Sequence, residues 1–201
     1  MYLEKIFNDI LPPGVFTTVP GDSFVGKQLV AHPLIRMISF TGSTAAGMQI
    51  SQQCGLKKST LELGGKNAAI ICESADIEST AHAVMWGAFA NAGQNCCAIS
   101  RVLVHKSVIY EFVQALKCCM SRLRLGDAMD PNTDIGRVID ETSFQRMIDD
   151  MQEFKLYSKL ECGGGANGEN MIVPALFTGV SDSSRLATDE LFGPILAILE
   201  P

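Results

Sequence analysis

Histidine is scarce in this chain: His32, His82 and His105 lie far apart, and no cysteine stands at metal-ligand spacing from any of them. That excludes the Cys/His signatures of a metal site. No apolar run approaches the roughly 18 residues that span a bilayer. Acidic residues interrupt the N-terminus, Met1-Tyr2-Leu3-Glu4-Lys5-Ile6-Phe7-Asn8-Asp9, too early for a secretory leader. No cluster of lysine or arginine stands out either. The 16 basic and 22 acidic residues leave a formal charge of −6, which argues against nucleic acid or an anionic membrane as partner. The seven cysteines (Cys54, Cys72, Cys96, Cys97, Cys118, Cys119 and Cys162) are odd in number and include two adjacent pairs. Such usage suits reduced thiols, and hence a cytoplasmic setting, rather than a disulfide framework. Internal repeats and low-complexity segments are absent.

What is present is an apolar chain of 201 residues, 47% hydrophobic, with eighteen glycines spread among the apolar runs. This is enough for one large domain or parts of two, each with a core. Residues 2–10 read as an amphipathic helix stopped by Pro12-Pro13-Gly14, and Val15–Val19 as a strand ending at Pro20-Gly21. Asp22 caps a predicted helix to about His32, followed by a strand over Arg36–Phe40, a helix over Thr44–Cys54 and a strand over Thr60–Leu63. Alternation of this kind is the signature of a parallel sheet with crossover helices. A second part starts near Gly64-Gly65, with a strand at Asn67–Cys72, a long helix at Asp76–Ala90, a strand at Arg101–His105 and a helix at Val108–Leu123. A helix at Ser143–Phe154 and a strand-like stretch at Met171–Val180 follow, the latter with Pro174 arguing for an edge position or a break. The expected fold is α/β. A partial Rossmann-like parallel sheet over residues 1–64 precedes a second α/β domain over residues 65–201.

Three segments carry chemistry-bearing residues. Phe40-Thr41-Gly42-Ser43-Thr44-Ala45-Ala46-Gly47 follows a predicted strand and opens a predicted helix, where free N–H groups favour an anion such as a pyrophosphate. Met48-Gln49 stand where a Walker loop requires Lys-Ser/Thr, and Gly-x-Gly-x-x-Gly spacing is lacking, so a plain strand–turn–helix junction is an equal reading. Glu62-Leu63-Gly64-Gly65-Lys66 ends a predicted strand in two glycines. That suits a carboxylate displayed at the carboxyl edge of a parallel sheet, or a surface glutamate paired with Lys66. Gly93-Gln94-Asn95-Cys96-Cys97-Ala98 follows a helix of small apolar residues. Its surroundings suggest a packed, partly buried loop, in which Cys96 and Cys97 are either ordinary core thiols or a nucleophile and its neighbour. A thiol together with a carboxylate able to activate water is the minimum equipment for making and hydrolysing a covalent acyl-enzyme.

Taken in order and spacing, these segments resemble the signatures of the aldehyde dehydrogenase superfamily. So does Glu190-Leu191-Phe192-Gly193-Pro194, and Pro12-Pro13-Gly14-Val15 and Val19-Pro20-Gly21 look like the family's turns around an adenine pocket. The resemblance implies a dinucleotide-binding part over residues 1–64 and a thiol-bearing catalytic part over residues 65–201. It implies Cys96 as nucleophile and Glu62 as the base for the hydrolytic water. Gly42 and Ser43 would line the phosphates of NAD or NADP, and Glu190 and Phe192 would hold the nicotinamide ribose; no metal is implied. The substrate would be a small-molecule aldehyde, the product a carboxylic acid, and full-length relatives homo-oligomers. Retention of Glu62 favours hydrolysis over acyl transfer to coenzyme A. Typical members are more than twice as long, so the resemblance makes the chain an internal fragment. It would lack an upstream oxyanion-donating Asn, an upstream Lys for the adenine ribose, the cofactor-choosing acidic residue, the rest of the catalytic domain and the oligomer's bridging strand. Losing one oxyanion donor typically costs on the order of 10²- to 10³-fold in rate, so weak NAD binding and poor turnover are expected of the 201 residues alone. The competing expectations are a binding or structural module without catalysis, and a cofactor-independent esterase using Cys96 and Glu62.

Overall fold

A computed structural model describes residues 1–200, which divide into two compact units, the first Met1–Gly64 and the second from Gly65 onward. The first unit opens with helix α1 (Tyr2–Asn8), then α2 (Ser23–Ala31), strand β1 (Met37–Thr41), α3 (Thr44–Gln53) and β2 (Lys58–Glu62). Asp22 caps α2 by accepting the Phe24 N–H at 2.9 Å, and Ser43 caps α3 by accepting the Ala46 N–H at 3.2 Å. These are short polar side chains at the position where a helix start has unsatisfied donors. β1 and β2 pair in parallel from Met37 opposite Lys58 to Thr41 opposite Glu62, with α3 as the crossover. Gly47 lets α3 settle on the strand end, since a Cβ there would strike the Leu63 side chain.

The strand expected at Val15–Val19 does not form. Its Thr18 N–H donates to Glu4 Oε1 at 3.0 Å, Phe16 stacks at 4.7 Å on Phe7 of α1, and Val15 and Val19 are exposed. β-branched residues fit a pleated, half-buried surface, and a segment without a ladder partner on such a surface stays irregular.

The second unit runs β3 (Asn67–Ile71), α4 (Ile77–Phe89), a 3₁₀ turn (Ala90–Gly93), β4 (Ile99–Val104), α5 (Ile109–Met120), α6 (Glu141–Phe154), β5 (Lys159–Cys162), β6 (Ala175–Thr178), α7 (Arg185–Thr188) and β7 (Ile195–Leu199). The sheet order is β3-β4-β7-β6-β5, parallel except for β5. β7 has all five residues buried and is an unbroken apolar run, as a central parallel strand is. The expected elements did not include β7 or α7. Pro174 marks the expected break and not an edge: Ile172 makes only an isolated bridge to Ala166, and β6, an interior strand, begins directly after the proline, whose missing N–H removes no ladder bond. α6 begins at Glu141, two residues before the expected Ser143, because Asp140 is the cap and accepts the Ser143 N–H at 2.7 Å. Its buried face of Met147, Met151 and Phe154 meets β6, with Phe154 and Phe177 edge-to-face at 6.0 Å.

Candidate active site

In the first unit the expected residues gather at the carboxyl edge of β1 and β2. Gly42 follows β1 and its N–H donates to the carbonyl of Glu62, the last residue of β2, at 3.0 Å. The Glu62 side chain is exposed beyond that edge. Ser43 spends its hydroxyl on the α3 cap, so what this turn offers an anion is main-chain N–H at the helix start. Beside it, α2, β1 and α3 enclose an apolar groove of about 470 Å³ whose walls include Gly26, Val30, Ile38, Ala46, Gln49 and Ile50. Gly42, Ser43 and Glu62 are thus brought together, and the groove is contiguous with the helix that Ser43 caps.

In the second unit Cys96 lies on a loop whose backbone is forced. After α4, Asn91 (φ 54°), Ala92 (φ 55°) and Gly93 (φ 69°) are three successive left-handed residues, costing roughly 1–2 kcal/mol at each non-glycine position. The turn is held by Gln94, whose Oε1 accepts the Ile139 N–H at 2.8 Å and whose Nε2 donates to the Asn91 carbonyl at 3.1 Å. Asn91 Nδ2 returns a bond of 3.1 Å to the Gln94 carbonyl. A Cβ on Gly93 would collide with the Gly193 carbonyl, so the two loops touch backbone to backbone.

Beyond Gly93 the chain turns again. Ala98 N–H donates to the Asn95 carbonyl at 3.0 Å, and Cys97 N–H to Asn95 Oδ1 at 3.0 Å. Cys96 is exposed, with Sγ 3.7 Å from Asn95 Oδ1 and 3.8 Å from Cys97 Sγ. The expectation of a packed, partly buried thiol loop is therefore corrected. The burial belongs to Ala92 and Gly93, and the strained turn lifts both sulfurs to the surface.

Glu190 and Phe192 precede β7 and approach the same place. Glu190 Oε1 accepts the Gly65 N–H at 3.3 Å. Phe192 has φ 50°, which a bulky residue adopts only under constraint, and remains 43% exposed. The constraint is visible: Arg146 Nη2 donates to the Leu191 carbonyl at 2.9 Å, and Gly193 sits against Met147. Buried Asp150 in turn holds Arg146 at 3.5 Å and Arg185 at 3.1 Å. A void of about 20 Å³ remains where the loops meet, lined by Gly65, Asn67, Gly93, Asn95, Glu190 and Phe192 among others. That is room for about one water molecule. Lys66, next to Gly65, buries its Nζ with no hydrogen-bond partner. Desolvation pushes its pKa down to about 8, helped by nearby Arg101 and opposed by Asp189 and Glu190.

Cys96, Glu190 and Phe192 are thus on neighbouring loops of one unit, and Gly42, Ser43 and Glu62 on one edge of the other. Three supporting residues escaped the sequence reading. Asn67 and Arg146 belong to no motif, and Gln94 stands in the Gly93–Ala98 segment without a role of its own. Each acts on backbone carbonyls or N–H groups far away in sequence. Only the strand start at Asn67 and the helical spacing of Arg146 and Asp150 hint at them. Among the described residues, no group of three or more His, Cys, Asp or Glu could hold a metal ion, and no helix is long and apolar enough to cross a membrane.

Comparison with known proteins places these loops in a family. The sequence profile of the aldehyde dehydrogenase family matches residues 1–200. The chain is 38% identical to retinaldehyde dehydrogenase 3 of Mus musculus over 208 aligned positions, covering 100% of this chain and 41% of that protein. It is 37% identical to a betaine aldehyde dehydrogenase of Brucella anthropi, covering 94% of this chain and 41% of the relative. An NAD-dependent aldehyde dehydrogenase from Sinorhizobium meliloti superposes with a TM-score of 0.96 at 29% identity, over 100% of this chain and 41% of that one. A mutant aldehyde dehydrogenase C from Pseudomonas syringae, solved with NAD+ and octanal, gives 0.91 at 32% identity, over 95% of this chain and 41% of that one. The chain thus spans about 41% of the length of these relatives. It belongs to the aldehyde dehydrogenase family.

Proposed function

We propose that this member of the aldehyde dehydrogenase family oxidises an aldehyde to a carboxylic acid with NAD or NADP, using Cys96 as the nucleophile and Glu62 as the base. The observation that carries the reading is the exposed Cys96 thiol on a strained turn packed against the loop of Glu190 and Phe192. Strain of this kind persists where surrounding bonds over-determine it, and it clusters at functional sites.

The residues fit a dinucleotide. Main-chain N–H groups at Ser43 and the start of α3 suit the phosphates, Gly42 (its own N–H held by the Glu62 carbonyl) permits a close backbone approach, and the 470 Å³ apolar groove beside them suits a flat base. Glu190 and Phe192 would hold the ribose at the nicotinamide end. When bound, the cofactor supplies a ring that accepts hydride. The chain's own residues supply the nucleophile and the base. Cys96 gives its thiol proton to solvent, Sγ attacks the carbonyl carbon, and the π electrons move to oxygen to give the alkoxide of a thiohemiacetal. Once the carbon has been oxidised, the acyl group remains on Cys96 as a thioester. Glu62 takes a proton from water as the hydroxide adds to that thioester, and collapse of the adduct expels the Cys96 thiolate with the acid.

Incubation with NAD+ and an aliphatic aldehyde, followed by quenching and peptide mass spectrometry, tests this. Acyl-Cys96 should accumulate, and should do so to a greater extent in Glu62→Gln, where only deacylation is removed. In Cys96→Ser it should vanish, with any NADH formation falling by at least about a thousandfold. Acylation at Cys97 with Cys96 untouched would overturn the assignment.

A further inference from the structure

We infer that Asn67 is the positioning residue for Cys96: its carboxamide fixes the carbonyls on both sides of Cys97 and so aims the sulfur. This rests on Cys96 being the nucleophile. Asn67 Nδ2 donates to the Cys96 carbonyl at 2.7 Å and to the Ala98 carbonyl at 3.0 Å. Both partners are acceptors only, so the nitrogen must be the atom that faces them. Two bonds from one rigid amide leave the intervening backbone little freedom, and they add to the Asn95–Ala98 turn rather than duplicating it.

The strand pairing shows that Asn67 has been set to this task. The β3–β4 register runs Asn67 opposite Ile99 and then Ala68 opposite Arg101, skipping Ser100. An extra residue on one strand is a β-bulge, a device that re-aims a side chain at the end of a ladder. Ser100, left out of the pairing, donates its hydroxyl to the Asn67 carbonyl at 3.2 Å and closes the bulge. Two residues upstream, the Gly65 N–H holds Glu190. The three residues Gly65–Asn67 therefore fix the thiol loop with one hand and the Glu190 loop with the other. A rigid strand end sets the separation between them.

Positioning and chemical activation of a thiol are separable. Attack on an ester carbonyl demands a defined approach and a place for the oxyanion, and misplacement by about 1 Å can cost on the order of 100-fold. Alkylation by iodoacetamide depends chiefly on the thiolate fraction and on access. The experiment measures both on the 201-residue chain: the single-turnover burst with p-nitrophenyl acetate, mapped to Cys96, and Cys96 alkylation as a function of pH. Cys72, exposed beyond the other end of β3, serves as internal reference. Asn67→Leu keeps the shape without the donor, and Asn67→Ala removes both. The expected result is an acylation rate about 10- to 100-fold lower in both variants, with the pH midpoint and the Cys96-to-Cys72 ratio of alkylation unchanged. A wild-type burst retained in Asn67→Leu overturns the positioning role while leaving Cys96 as nucleophile. So does an equal loss of both reactions, which would mark a melted loop. No burst at Cys96 in the wild type overturns both readings together.

Discussion

The two units use opposite ends of their sheets. In Met1–Gly64 the candidate residues stand at the carboxyl edge, Gly42 and Ser43 after β1 and Glu62 at the end of β2. This is the edge where ligands bind in open parallel sheets, because helix N-termini point there. In the second unit Gly65-Lys66 precedes β3 and Asn67 opens it, the Cys96 loop precedes β4, and Glu190–Pro194 precedes β7, so the candidate site is at the amino edge. There the unit relies on side chains: Asn67, Gln94 and Arg146 each bond to distant main-chain atoms, Gln94 to the Ile139 N–H just before α6. The cores differ in the same sense. Val30 and Cys54 are the buried hydrophobic residues described in the first unit, whereas the second buries a whole strand and the faces of several helices. A site assembled from loops needs that firmer foundation; one made from a backbone turn at a helix cap does not.

Glycine substitutions would break this contrast most forcefully. Gly93→Ala should destabilise the second unit by more than about 2 kcal/mol, since it meets both a positive φ and a backbone collision. It should also scatter the Cys96 loop, read by denaturant unfolding and by hydrogen exchange across residues 91–98. A near-neutral Gly93→Ala would show the loops are not in the backbone contact described.

Lys66→Met probes what the amino-edge site tolerates. Below pH about 8 the folded and unfolded chains both carry the Lys66 charge, and only the folded one bears its desolvation. Between about 8 and the ordinary 10.5 the unfolded chain holds a proton that the folded chain has released, so stability rises with pH. The methionine variant should be more stable at pH 7 by on the order of 1–2 kcal/mol, and the gap should close toward pH 10.5. An unchanging gap in urea melts across that range would mean Lys66 is paired or solvated. The smallest effect belongs to the other unit: Gly26 in α2 has open space where a Cβ would stand. Gly26→Ala should raise stability by about 0.5–1 kcal/mol, visible as a higher melting temperature. A loss instead would mean the groove wall is tighter than its glycine suggests.

Much of this was readable along the chain. Asp22 announces a helix start, and so does Asp140, three residues before the expected start at Ser143. β1 lies one residue on from the expected Arg36–Phe40 and β2 starts two residues before the expected Thr60, while the Gly42, Glu62, Cys96 and Glu190 segments resemble the family's signatures. Val15–Val19 misled because its composition suits a strand that has no neighbour to pair with. β7 was missed because a continuous apolar run of five residues has no period to read.

The residues alone determined the family, the chemical kinds available and the local starts and stops of helices, because caps, turns and periodicity act over a few positions. The gathering of the second unit's candidate residues at the amino edge, the exposure of Cys96 and the grip of Asn67 on its loop were decided only in three dimensions. The bonds responsible join residues 29 and 125 positions apart, Asn67 to Cys96 and Gly65 to Glu190. They exist only once the packing of a whole sheet has brought their donors and acceptors within reach.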